Sequence, residues 1–310
     1  MADTLRQVRR AATEWGVRGL LALSAVLPMS AQQWAVRTII GIAGAAPGLR
    51  AWVLRNMRLA LGDDVPASAA REWVRNVSLA MSTMVVTFHR GFRAAGVLDK
   101  VCFDDSIAVL DAAVAGGRGA VLIASHLAGH EMVAAAINQR HPMAMLVRRS
   151  PKPAEMARKL KWYNALGAEL VLRPSGPTTM KDAVDYVRVL RGGKTIAITP
   201  DLLAAPHEGA PVTIFGRPAR LHVGAFALSM LAKAPMVRVS GRLQADGRVL
   251  VSFERAPDIA GADREAAVGA ALQDWCRWFE TKLRSDPAGW MFWVDKRWSR
   301  FLRDTPRERV

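Results

Sequence analysis

Two cysteines are all the chain has, Cys102 and Cys276, far apart and in unlike contexts. That excludes a disulfide scaffold and any cysteine-based metal site, and it leaves a reducing compartment as the default. A plain membrane span is also missing. The apolar stretch Gly19–Leu27 follows Arg6, Arg9 and Arg10 in the manner of a signal peptide. Glu14 and Arg18 crowd it, however, and Pro28 ends it, whereas a spanning helix needs about 20 residues. The uncharged segment runs on to Val36, but Ser24, Pro28, Ser30, Gln32 and Gln33 interrupt it. The expectation is a retained, interface-lying pair of helices, with one N-terminal anchor as the alternative. Nor is there a Gly-x-Ser-x-Gly elbow: Ser125 stands between Ala124 and His126, so a serine-hydrolase nucleophile fails. Neither the dinucleotide nor the nucleotide-loop glycine pattern occurs.

Acidic residues are scarce too. Against 27 Asp and Glu stand 43 Lys and Arg, a net charge of +16. Such a field favours a polyanionic partner: nucleic acid, an anionic lipid surface or an acidic carrier protein. The basic residues gather at the two ends. Residues 1–60 hold eight Arg, no Lys and only Asp3 and Glu14 as acids, together with Trp15, Trp34 and Trp52. The other end carries Lys296, Arg297, Arg300, Arg303, Arg307 and Arg309 with Trp290, Trp293 and Trp298. Arg with Trp suits a lipid interface, where the ring sits at headgroup depth and the cation meets phosphate. A nucleic-acid module would instead set aromatics into a basic groove. No nucleic-acid partner is expected.

In 310 residues, 51% hydrophobic and 23% charged, there is room for a large core and little case for a polytopic membrane protein. Residues 1–95 read as a helical, membrane-interface section. Trp73, Val77, Met81 and Val85 recur every fourth position. Beyond about residue 96 short β-rich runs appear at 120–123, 143–147, 169–172, 195–198, 236–239 and 249–253. Helical stretches at 106–115, 131–139, 154–166, 178–190 and 223–232 separate most of them, and a last amphipathic helix covers 264–283. Continuous apolar strands alternating with helices predict an α/β fold, a mostly buried sheet covered by helices. The 96–310 part is expected to be this core with a basic, aromatic tail, the whole forming one structural domain.

In open α/β sheets ligands bind beyond the carboxyl ends of the strands, and polar residues stand at three such ends. After 120–123 come Ser125, His126, Gly129, His130 and Glu131. A His at a strand-to-helix turn, with a glycine giving backbone room, is a candidate base. Glu131 can hold one imidazole nitrogen and leave the other free. His126, His130 and Glu131 can also be read as metal ligands, but no further cluster with ligand spacing completes a site, and no metal is expected. After 143–147 come Arg148 and Arg149, whose planar forks suit phosphate or a developing oxyanion. After 195–198 comes Asp201, able to orient His126 across the sheet or to bind an acceptor hydroxyl. Proximity in sequence favours Glu131 as the partner of His126. The Gly-rich stretch 206–218 reads as a loop.

These residues resemble the lysophospholipid acyltransferase superfamily, and within it the lipid A late acyltransferases (lauroyl and myristoyl transferases), a family that also includes phosphatidylinositol mannoside acyltransferases. His126-Leu-Ala-Gly-His-Glu131 matches an H-x4-D/E motif. Arg148 matches an Arg-bearing strand end, and Thr199-Pro-Asp201 through Phe215-Gly216-Arg217 a strand–Asp–loop–Phe-Gly block. Arg55–Leu61 and Pro287–Trp298 resemble the opening and closing blocks. Where the family commonly has Gly-Asn-Trp before the acid, this chain has Ala128-Gly129-His130. The resemblance implies direct transfer of a fatty acyl chain from an acyl-carrier protein or acyl-CoA thioester to a hydroxyl of a membrane lipid acceptor, at the cytoplasmic face of the inner membrane. It implies His126 as base, Glu131 or Asp201 as its orienting carboxylate, and Arg148 with backbone N–H groups at Gly129 for the oxyanion. It also brings Arg149, Phe215 and Arg217 to the substrate, with no cofactor beyond the thioester co-substrate.

Overall fold

The computed structural model describes Gly19, Ala22 and residues 26–91, 95–127, 129–174 and 179–308. The basic positions Arg6, Arg9, Arg10, Arg18 and Arg309, and Trp15, lie outside the described residues. Three helices lead the chain: α1 (Met29–Ala45), α2 (Pro47–Leu61) and α3 (Ser68–Arg90). Pro47 at the start of α2 has the fixed φ that a first helical turn needs. The helical reading of residues 1–95 therefore holds for the described part.

Seven strands form one sheet in the order β1-β9-β8-β2-β5-β3-β4. They are β1 (Val101–Phe103), β2 (Ala120–Ile123), β3 (Met143–Arg148), β4 (Glu169–Arg173), β5 (Thr195–Ile198), β8 (Met236–Leu243) and β9 (Val249–Arg255). All neighbours pair in parallel except β8 and β9. The helices α4 (Ile107–Ala115), α5 (His130–Arg140), α6 (Pro153–Ala165), α7 (Met180–Arg191), α8 (Gly224–Ala232) and α9 (Arg264–Ser285) connect or cover them, and α10 (Lys296–Asp304) closes the chain. Strand β2 is buried at all four positions, as a strand with both faces covered must be. Its side chains alternate between two cores, Val121 and Ile123 in one and Ala120 and Leu122 in the other. The first core joins Val53 and Met57 of α2, Val187 of α7, Phe226 of α8 and Trp275 of α9. The second joins Leu110 of α4, Met132, Val133 and Ile137 of α5 and Val86 of α3.

The segment read as a Gly-rich loop is in part a hairpin, β6 (Ala210–Ile214) with β7 (Arg217–Leu221). Its two turn residues, Phe215 and Gly216, both have positive φ, 55° and 67°, as a two-residue turn matching the strand twist requires. A phenylalanine there is unusual. Its N–H donates to the Glu280 carboxylate at 2.7 Å, and its ring is buried among Phe279, Trp290, Trp293 and Trp298.

Candidate active site

His126 and Asp201 are brought together by sheet register. Strands β2 and β5 are parallel neighbours with Ile123 opposite Ile198. Each polar residue follows its strand's last member by three positions, so both arrive at the same height on adjacent strands, about 4.8 Å apart in the sheet. His126 Nδ1 lies 2.8 Å from Asp201 Oδ1, and the His126 backbone N–H donates to Asp201 Oδ2 at 2.8 Å. Trp290 Nε1 donates to the same Oδ2 at 2.9 Å, and Trp298 Nε1 donates to the Asp201 carbonyl at 3.1 Å.

The carboxylate is fully buried, and burial pushes its pKa up. The hydrogen bond and charge of His126, with the His126 N–H and the Trp290 indole, more than offset this and leave it lowered. For His126, burial pulls the imidazole pKa down. The hydrogen bond and charge of Asp201, with the charge of Glu131, outweigh burial and leave it raised. Nδ1 is committed to Asp201, which leaves Nε2 as the ring nitrogen open to a further partner.

Glu131 does not reach His126. Its carboxylate pairs with His130 Nδ1 at 3.2 Å, and that nitrogen also lies 2.9 Å from the Leu127 carbonyl. This corrects the partner that chain proximity favoured. Glu131 sits one residue into α5, whose N-terminal turn carries it to the neighbouring imidazole, while the strand neighbour supplies the carboxylate that His126 meets. Gly129 caps α5 with φ +86°, a left-handed conformation that glycine adopts freely. It allows the chain to leave His126 and enter the helix within three residues. His130 meets His126 edge-on, ring centroids 5.2 Å apart.

Beside this pair lies an apolar cavity of about 40 Å³ between α5 and the sheet, lined by Leu122, Ser125, Leu127, His130, Val133 and Ile137 among others. The Ser125 hydroxyl is buried there with no hydrogen-bond partner among the described residues.

Arg148 and Arg149 are exposed at the carboxyl end of β3. Since β5 separates β3 from β2, Arg148 starts about 10 Å from His126. It stands opposite Arg173 at the end of β4, a residue the sequence reading missed although it occupies the same kind of strand end. No carboxylate pairs with the Arg173 guanidinium among the described residues, and burial followed by the charge of Arg148 lowers its pKa. His222, just after β7, is lowered by burial first; Glu208 opposes this, and Arg173, Arg148 and Arg297 add to it. A neutral imidazole and three guanidiniums thus share one corner of the strand-end edge.

Phe215 and Arg217 are scaffold, not substrate surface. Phe215 lies in the aromatic core, and Arg217, 5% exposed, donates to the carbonyls of Thr305, Leu59 and Phe215 at 2.8, 2.9 and 3.0 Å. Its guanidinium ties the hairpin to α2 and the chain's end.

No curated protein matches the chain. Residues 2–300 match the family described as bacterial lipid A biosynthesis acyltransferase. The match spans the helical section, both strand ends that carry the His–Asp pair and the aromatic segment behind it, and the chain belongs to that family.

Proposed function

We propose that this acyltransferase moves a fatty acyl chain from an acyl-carrier protein or coenzyme A thioester to a hydroxyl of a membrane glycolipid such as a lipid A precursor. The observation that carries the reading is the His126–Asp201 pair at 2.8 Å, set at adjacent strand ends next to an apolar cavity. The acceptor hydroxyl approaches Nε2. His126 takes its proton as the oxygen attacks the thioester carbonyl, and the thiolate leaves as the carbonyl re-forms. Asp201 stabilises the imidazolium and holds the ring. General-base help of this kind supplies roughly 10²–10⁴-fold. The apolar cavity between α5 and the sheet, about 40 Å³, takes a few methylenes of the acyl chain. The half-buried Arg173 guanidinium, which no carboxylate pairs among the described residues, favours an anion, and with the charges of Arg148 and Arg297 nearby this corner takes an anionic part of a substrate. Arg149 stands beside it. No metal takes part, so a chelator should leave the rate unchanged.

Anionic lipids attract the basic surface and keep the enzyme at the inner membrane's cytoplasmic face, where both substrates meet. His126→Ala should abolish transfer without loss of fold, since the residue lies in a turn where truncation leaves no large core cavity. Near-wild-type turnover by the folded variant would remove the base from the reading. Lipid mass spectrometry of a deletion strain names the acceptor and the chain length together. Unaltered glycolipids there would exclude the acceptor proposed.

A further inference from the structure

A segment far from the dyad in sequence closes around it. Residues 287–294 form two short 3-10 turns, Pro287–Gly289 and Met291–Val294, with Trp290 between them. Three consecutive residues of this strap touch the dyad. The Trp290 indole donates to Asp201 Oδ2 at 2.9 Å. The Met291 N–H donates to the His126 carbonyl at 2.9 Å. The Phe292 ring lies 4.5 Å from the His126 imidazole, centroid to centroid, tilted by 34°. The strap is itself held by the N-terminal helices: Asn56 of α2 donates to the Trp293 carbonyl at 2.7 Å, and Trp73 and Asn76 of α3 donate to the carbonyls of Trp290 and Ala288 at 2.8 and 3.0 Å.

A phenylalanine at 290 would still meet the rings of Phe215, Phe279, Trp293 and Trp298, with less volume. What phenylalanine would lack is the N–H. Asp201 Oδ2 receives two donors, from Trp290 and from the His126 backbone, and this leaves Oδ1 for Nδ1. A carboxylate pinned in this way cannot rotate without stranding a buried donor. The imidazole then keeps its proton on Nδ1 and presents an unprotonated Nε2.

We propose that Trp290 is a positioning residue of the transfer centre. It acts through Asp201 to hold His126 in its Nδ1–H tautomer, while Phe292 sets the plane of the ring. The proposal rests on the reading of His126 as the base. It assigns Trp290 and Phe292, the two strap side chains that touch the dyad, to its upkeep.

The test compares Trp290→Phe with Trp293→Phe. The Trp293 indole sits in the same cluster, 4.8 Å from the Trp290 ring, and donates to the Pro287 carbonyl at 2.7 Å. Each variant deletes one buried indole hydrogen bond, so a merely structural role predicts like effects. Rates would be measured with acyl-CoA and lipid acceptor in mixed micelles, beside thermal melts and 15N spectra of the protein labelled on histidine. Trp290→Phe should keep a cooperative melt and a KM within about twofold of wild type. Its kcat should fall about 10- to 100-fold, and the His126 ring signals should move from the Nδ1–H pattern toward tautomer averaging. Trp293→Phe should lose stability only. Equal kcat in the two variants, or an unmoved His126 spectrum in Trp290→Phe, overturns the proposal. Phe292→Leu, at a partly exposed position, guards against misfolding: it should lose kcat several-fold at unchanged KM, and a wild-type kcat there counts against the strap. His126→Ala run in parallel separates the two ideas. If it is inactive while both strap variants turn over normally, only the positioning role falls. If it is active, the base assignment falls and the strap's role with it.

Discussion

The side chain that meets His126 is 75 residues away in sequence, and the one five residues away meets a different imidazole. In a parallel sheet the nearest neighbour of a strand end is the end of the adjacent strand, whatever chain lies between. The three strand-end loops were legible from apolar runs followed by polar residues, but the order of the strands was not, so the choice between Glu131 and Asp201 could not be made from spacing. Arg173 was not legible because its place opposite Arg148 depends on the pairing of β3 with β4, which the sequence does not show. The two carboxylates should behave unequally. Asp201→Asn is expected to lower kcat by about 10² or more, and Glu131→Gln only a few-fold; the reverse order in steady-state assays would restore the proximity reading. The pH profile gives a sign. His126 acts as a base only when neutral, and its pKa lies above the ordinary 6.5. The acid limb of kcat/KM should therefore fall above that value. Asp201→Asn removes the hydrogen bond and charge that raise it and leaves burial, which lowers it. The limb should move to lower pH even as the plateau drops, and a limb that stays in place would mean it reports some other group.

At the scale of elements, continuous apolar runs located six of the nine strands, and helical spacing located their connections to within about two residues at each end. What escaped has physical reasons. Strand β1 is three residues long, below any periodicity. The β6–β7 hairpin turns on Phe215-Gly216 in place of the usual Asn-Gly and holds Pro211 and Pro218 within its strands, so both strand and turn signals are blurred. Helix packing is specific at one glycine. A Cβ on Gly44 of α1 would lie 2.2 Å from Val74 Cγ1 of α3, and Val74, branched at Cβ, has little freedom to move aside. Gly44→Leu should push α1 off α3 and cost about 1–3 kcal/mol, seen as a lower Tm and faster proteolysis between α1 and α2. An unchanged melt would mean that α1 does not rest on α3 in solution. The apolar cavity under α5 belongs to this scale as well. Ala134 lines it, and Ala134→Phe should fill it and depress turnover of long-chain thioesters more than short ones. An equal loss at all chain lengths would place the acyl chain elsewhere.

The whole molecule carries +16 and leaves large apolar side chains in water at one place above all. Val26, Trp34, Ile39 and Ile42, in or just before α1, are 78, 69, 57 and 70% exposed, while Gln32, Val36 and Gly44 of the same helix are buried. A helix that hides one face and offers tryptophan and isoleucine on the other, beside Arg37, has the form of an interfacial helix. No helix among the described residues is long and apolar enough to cross a membrane. Two forces then act together. Each basic residue close to an anionic surface contributes about 1 kcal/mol, and salt screens that part. Apolar insertion is not screened. Flotation with anionic vesicles should therefore weaken with salt without vanishing. Trp34→Glu with Ile42→Glu should abolish the salt-resistant part and leave the salt-sensitive part in place, with transfer to a water-soluble acceptor analogue unaffected. Alkaline carbonate, which opens vesicles into sheets and strips proteins that no spanning helix anchors, should release the full chain from membranes. Protein that stays in the carbonate pellet would show that a segment spans the bilayer, and a double variant that still floats at high salt would show that α1 is not the part inserted.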